Sequence, residues 1–541
     1  MEPGAVRAGR SIFALSIDMG GTQVAATARL AMATEPHVWG TLAVFKSLQD
    51  ARRTATELIA QPVAAWNLRV LSGVADLLLV NWTTDRLYNR ELLLLWQMLA
   101  SSPAVSSPSP SPSPLPPTAA KKPGPTATPK DPPKISKSRV EFRPQDSWVG
   151  EFGFDWMRIG GPAEKAGEDV YKNVVIKGTG GLSAAAAYTA MKSEYDSIPI
   201  EIASPPEGLM EYFVPYLNLF PKGTAGSPTP PFEAQLRILV QVEENAPDKL
   251  DLEYDTTLLA VDKRQLKDKA VGAKRVATDG TMKITCNAAL ASDQLIKVWA
   301  TFQGERKLVG QLKLLKNGDS ARKHIKFLLV KVKTNINGTL RTGSISEAEK
   351  VALRNVLFQA LITCDMEEAA SDFDMTTDDA MRIKTVGTAK AYGKFIYQKT
   401  KVDPTKTEGL FEDYIAPGAA KADAFFSYVH DSFMKATGNQ KYAKHFTIFA
   451  FDEVPYDVTT YGQVQDIGVH NAALFAPAGG RKVTTMAHEI LHGLNLKHTH
   501  DSPGPQNKYI FKSSTTDNIM SYSAARYSTW RRQWEVMQGG L

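Results

Sequence analysis

Along the first hundred residues the apolar positions recur every three or four places. They do so in "TLAVFKSLQDARRTATELIAQ" (41–61) and again in "DRLYNRELLLLWQMLA" (85–100). That period predicts helices, and hence a mostly helical N-terminal head over residues 1–100. After residue 137 the period changes to two. In "SWVGEFGFDWMRI" Phe152, Phe154 and Trp156 fall on one face of a strand. Similar runs follow in "EAQLRILVQVEE", "KLDLEYD", "TMKITCN", "QLIKVWATFQ", "RKLVGQLKLLKN" and "HIKFLLVKVKTNI", parted by Gly, Asn and Asp turns. They predict an Ig-like β-sandwich region, set out as one β-rich domain over 138–265 and another over 266–338. At "TGSISEAEKVALRNVLFQALI" the period returns to that of a helix. Ser346 and Glu349 stand at capping-box spacing, and Leu353, Val356, Leu357, Ala360 and Leu361 form the apolar stripe. With the apolar run "HFTIFAFDEV" further on, residues 339–541 are expected to form an α/β domain.

The head and the β region are separated by residues 101–137, which open "SSPAVSSPSPSPSPLPPTAAKKPGP". Repeated proline favours extended polyproline II, and Ser, Thr and Lys offer nothing to bury, so this is a semi-rigid spacer. Within the head, "SIDMGGTQVAA" matches a phosphate turn of sugar kinases. No second phosphate loop accompanies it, and a plain strand-turn is the better reading.

Composition adds limits. A chain of 541 residues with 43% hydrophobic and 22% charged residues has the make-up of a multidomain globular protein. A net charge of +6 is small for this length and gives no reason to expect nucleic acid as partner. The two cysteines, Cys286 and Cys364, fit neither a disulfide framework nor a metal-ligand spacing. No run of apolar residues is long enough to span a bilayer, and the short apolar run near the start, ended by Asp18, is not expected to act as a cleavable signal.

The chemistry is concentrated in "TTMAHEILHGLNLKHTHD", residues 484–501. His488 and His492 are four apart, so on a helix both imidazoles leave one face and can share a zinc ion. Glu489 stands beside the open coordination position. A third ligand is expected. No glutamate occurs between Gly493 and Trp534, which disfavours a ligand from a following helix, whereas His498 lies six residues after His492. His500 and Asp501 are alternatives to it, or partners of the ligands. His470, in "GVHNAALFAP", reads as incidental.

The pattern His488, Glu489, His492, Asn495, His498 resembles the His-Glu-x-x-His-x-x-Gly-x-x-His signature of metzincin zinc metallopeptidases, with Asn in place of Gly. That position needs a left-handed backbone, which Asn tolerates better than other non-glycine residues. Metzincins also carry a methionine turn, and "TDNIMSYS" supplies Met520, with Tyr522 two places on. The resemblance implies Zn2+ held by His488, His492 and His498, Glu489 as general base, Tyr522 as oxyanion support and Met520 as an apolar floor. It implies a polypeptide substrate, held by strand addition along "GVHNAALFAP". The C-terminal "YSTWRRQWEVMQ" is expected to pack as a helix behind the site.

The layout after the spacer, with its "GEFGFDW" block and "WRRQWEVM" ending, resembles bacterial effectors exported by one-step machines such as type VI secretion. It implies an exported toxin, secreted without a cleavable signal, whose head or β domains dock on a carrier of the secretion machinery. A cytoplasmic processing peptidase, or a non-catalytic binding protein whose C-terminal domain is stiffened by zinc, are the alternatives.

Overall fold

A computed structural model describes residues 134–541 except 161–169, 204–207, 268, 273–275, 398–419, 456–459, 477–479 and 505–506, together with five strands between residues 11 and 81. The chain divides into two units, Met1–Pro129 and Lys130–Leu541, with the division inside the proline-rich segment.

The helical head is not what the first unit contains among its described residues. Ser11–Asp18, Ala25–Met32 and Trp39–Phe45 form an antiparallel three-stranded sheet, and Leu68–Val70 pairs with Leu79–Asn81. "TLAVF" lies within the third strand. Its β-branched and aromatic residues suit a pleated sheet, and a short apolar run does not distinguish strand from helix by period alone. Residues 46–61 and 85–100, the rest of the expected helices, lie outside the described residues. In "SIDMGGTQVAA" Asp18 pairs with Ala25 across two antiparallel strands.

Strand also dominates the second unit, with 37% strand against 20% helix among its described residues. Its first part is a sandwich. One sheet has the order Gln265–Leu266, Lys249–Glu253, Gln294–Phe302, Glu305–Leu314, Tyr216–Asn218, Gly153–Asp155. The other runs Leu259–Val261, Val276–Cys286, Glu233–Glu244, Lys137–Pro144. Alternating residues of both sheets, among them Val140, Phe142, Leu236, Ile238, Val298 and Leu312, meet in one core, which Phe152, Phe154 and Trp156 also enter. Strands from either side of residue 265 therefore share both sheets and a single core.

Lys323–Thr334 (β1) leaves the sandwich and becomes the centre of a second, mixed sheet. Ile362–Glu368 (β2) pairs with it in parallel on one side and Phe446–Ala450 (β3) in parallel on the other. The sheet continues with Asn471–Leu474 (β5), parallel to β3, and ends in Gly462–Val464 (β4), antiparallel to β5. "KFLLVKV" is apolar on both faces because both faces are covered. Phe327 and Leu329 face one core with helices Glu347–Gln359 (α1), Thr485–Gly493 (α3) and Arg531–Gly539 (α4). Leu328 and Val330 face another core with Ala420–Lys435 (α2). The capping box forms: Ser346 Oγ accepts the Glu349 N–H at 3.3 Å, and Glu349 Oε2 accepts the Ser346 N–H at 2.9 Å. Glu349 also pairs with Arg481 (3.0 Å), which fixes the loop entering α3.

The two parts of this unit are bonded through buried polar groups. Gln359 Nε2 donates to the carbonyls of Gly150 (3.0 Å) and Tyr527 (2.7 Å), while its Oε1 accepts the N–H and hydroxyl of Thr529. Among the described residues no helix is long and apolar enough to cross a membrane.

Candidate metal centre

α3 carries His488, Glu489 and His492, with the two imidazoles one turn apart and buried. The helix is held at depth by Gly493, where an added Cβ would come within 2.3 Å of the Phe446 ring on β3. It then stops sharply. The Leu496 N–H donates to the Leu491 carbonyl (2.9 Å) and the Asn495 N–H to that of His492 (3.0 Å), a Schellman turn with Asn495 at φ +70°. That left-handed residue turns the chain back, so that His498 returns to the face it has just left.

His498 Nε2 lies 3.1 Å from His488 Nε2 and 3.1 Å from His492 Nε2. The other ring nitrogens settle the tautomers. His488 Nδ1 is 2.9 Å from the Ile519 carbonyl, His492 Nδ1 is 2.7 Å from the Leu496 carbonyl, and His498 Nδ1 is 3.1 Å from Asp501 Oδ2. Carbonyls and carboxylates only accept, so each Nδ1 donates its hydrogen and each Nε2 presents a lone pair. Three lone pairs cannot bond one another. They fit a cation, and tetrahedral zinc with bonds of about 2.0–2.1 Å sets its nitrogen ligands at a comparable spacing, roughly 3.4 Å. The group could hold a metal ion.

The electrostatics favour the same use. Burial, with the neighbouring rings, pulls His492 down to about 3 and His488 well below its ordinary value, so both stay neutral as ligands must. Asp501 is opposed by burial, but its bonds from His498 outweigh this and its carboxyl lies below the usual range. Asp501 thus supports His498 and His498 is the converging ring. His500 stacks on His498 at 5.0 Å.

Burial pushes Glu489 up to about 8, against the opposing charge of Arg526 and the Val464 N–H that its carboxylate accepts. Tyr522 is half exposed, its hydroxyl 3.0 Å from His498 Nε2. Met520 is fully buried in a turn where its N–H donates to Asn518 Oδ1 (3.0 Å). Gln533 on α4 grips the same Asn518, while Trp534 and Met537 pack in the core that holds Met520.

A cavity of about 450 Å³ opens over the three histidines and Glu489. Its opposite wall is β4, the last strand of the sheet. The substrate-binding edge is expected in "GVHNAALFAP", but its Asn471–Leu474 form β5, which lies between β3 and β4 and has no free edge. His470 stacks on Phe446 at 5.0 Å and does not line the cavity. The sequence reading missed β4 and Arg526. For β4 a signal existed in "YGQV", where Gly462 is required: an added Cβ would lie 2.8 Å from Glu489 Cγ.

No family model matches the chain, and a search of the curated proteins finds no match.

Proposed function

We propose that this chain is a zinc-dependent endopeptidase. The observation that carries the reading is the convergence of three imidazole Nε2 atoms, that of His498 3.1 Å from each of the other two, beside a carboxylate that lines an open cleft. Zinc in a three-histidine site supplies an acidified nucleophile and polarises a carbonyl. The residues of the chain do the rest. The backbone of β4 offers an edge along which an extended peptide can be laid, close to Glu489. Glu489, next to the three histidines in the cleft, takes the proton of the attacking water and returns it to the leaving amine. The Tyr522 hydroxyl, at the mouth of the cluster, donates to the oxygen on which charge develops.

The test joins metal analysis of the purified chain to cleavage of casein or a quenched peptide. The unsubstituted chain should carry about one zinc and cleave. Glu489→Gln should keep the zinc and lose roughly 10²-fold or more of the rate. Equal rates in both, or zinc without cleavage in either, would favour a purely structural metal. If the chain is an exported effector, removing residues 1–129 should stop export while Lys130–Leu541 still cleaves peptides.

A further inference from the structure

The cleft contains a cation that hydrolysis itself does not use. Arg526 lines the cavity and is only 9% exposed. Its Nη1 donates to the Ser521 carbonyl and its Nη2 to the Thr484 hydroxyl, both at 3.2 Å, the long end of such bonds. Its Nε is buried without an acceptor. No carboxylate among the described residues forms an ion pair with it. The acidic groups its charge reaches are Glu489 and the Tyr522 hydroxyl. Arginine is almost never buried without an anion, because desolvating a guanidinium is costly unless the charge is matched.

Among the described residues that line the cavity Glu489 is the one carboxylate, and the proposed reaction occupies it. Lys482 adds a second positive charge to the wall. Among its described residues the cleft is therefore short of an anion at a place where a bound peptide would lie. A guanidinium fork matches a carboxylate in both charge and planar geometry.

We propose that Arg526 is a specificity-determining residue that binds a peptide carboxylate, so that the cleft selects polypeptides with an acidic group close to the bond held over Glu489. The proposal rests on the peptidase reading for the identity of the ligand as a peptide. The Arg526 site recognises either an Asp or Glu side chain or a chain-terminal carboxylate, which share the same chemistry.

Binding tests it apart from cleavage. Fluorescein-labelled, C-terminally amidated heptapeptides, each with a single Glu or Gln at one scanned position, are titrated by anisotropy into the zinc-loaded Glu489→Gln chain. A free-acid version of the all-neutral peptide forms a further arm. In at least one register, or in the free-acid arm, the acidic peptide should bind about tenfold or more tightly than its neutral pair. Preference for Glu assigns the side chain, and preference for the free acid assigns the terminus. Adding Arg526→Gln should abolish the preference with zinc retained, and Arg526→Lys, which keeps the charge and loses the fork, should reduce it. Equal binding of acidic and neutral peptides, binding of neither, or a preference of unchanged size in Arg526→Gln or Arg526→Lys overturns the proposal. A preference without cleavage by the unsubstituted chain removes the peptidase reading and leaves carboxylate binding standing. Cleavage without preference does the reverse.

Discussion

Asp501 holds His498 twice through one carboxylate oxygen: Oδ2 lies 3.1 Å from His498 Nδ1 and accepts the backbone N–H of the same residue at 2.9 Å. The ring and the chain that carries it are thereby fixed together. His488 and His492 are oriented by the helix and by carbonyls, whereas His498 lies beyond the turn and its Nδ1 is held by this carboxylate.

Removing that support should weaken the metal and leave the fold. In Asp501→Ala the Nδ1 hydrogen loses its acceptor, the alternative tautomer becomes accessible, and one lone pair is lost from the cluster for part of the time. Loss of such a partner typically lowers metal affinity 10–100-fold. Competition against a chromophoric chelator should show that decrease. Asp501→Asn, whose amide oxygen still accepts, should show a smaller one. Equal affinity in all three chains would mean that Asp501 does not orient the ring.

The approach of β4 to Glu489 should be as sensitive. An added Cβ at Gly462 would meet Glu489 Cγ at 2.8 Å, Leu474 Cδ2 at 3.1 Å and Thr485 Cγ2 at 3.2 Å. Either the edge strand or the carboxylate must then move. A misplacement near 1 Å can cost on the order of 10²-fold in rate. Gly462→Val should keep its zinc while kcat falls by at least about tenfold. A variant with unchanged kcat would show that Glu489 is not confined by this strand.

The clustering of the three histidines was legible because the helix and the turn that follow one another in the chain make most of it locally. Two lie one helical turn apart, and the third follows a single left-handed residue. The rest depended on which strand neighbours which. β1 is apolar on both faces at its centre, but its composition does not say which strands pair with it. "NAAL" has the composition of an edge or an inner strand alike, and only the return of 462–464 antiparallel beside it makes it inner. Arg526 is seen as a cleft residue only once the methionine turn has been placed, since its bonds run to Ser521 and Thr484. "TLAVF" was open to either period, and its neighbours in a three-stranded sheet decided it.

The position of β1 yields a prediction about fragments. A chain beginning at residue 339 contains every proposed ligand but lacks the strand to which both β2 and β3 pair. Phe327 and Leu329 would vanish from one core and Leu328 and Val330 from the other. Residues 339–541 alone should give poor amide dispersion by NMR and bind no zinc tightly, whereas Lys130–Leu541 should fold. A well-folded short fragment would mean that β1 is dispensable.

Gln359 should matter for the same union. Its side chain is fully buried and serves two carbonyls, one N–H and one hydroxyl drawn from the "GEFGFDW" block and from residues 527–529. Gln359→Leu is close in volume but leaves those four groups without their partner. Each buried polar group so stranded costs ~1–3 kcal/mol. The thermal midpoint should fall by several degrees in scanning calorimetry. A change within error would mean that water enters and satisfies the four groups.

Metal removal closes the argument at the cluster itself. Without a cation, three acceptor nitrogens face one another in a largely buried site, and the Tyr522 hydroxyl donates to only one of them. Protonation does not relieve the others near neutrality, because burial holds His492 at about 3 and His488 well below its usual value. The apo chain therefore retains unpaired buried acceptors, and a ligand that binds only the folded state stabilises it by about 4 kcal/mol at a thousand times its Kd. Dialysis against a chelator should lower the midpoint of Lys130–Leu541 by several degrees. Added zinc should restore it, and His492→Ala should melt low with or without zinc. If chelator leaves the midpoint of the unsubstituted chain where it was, the three nitrogens are not joined by a metal.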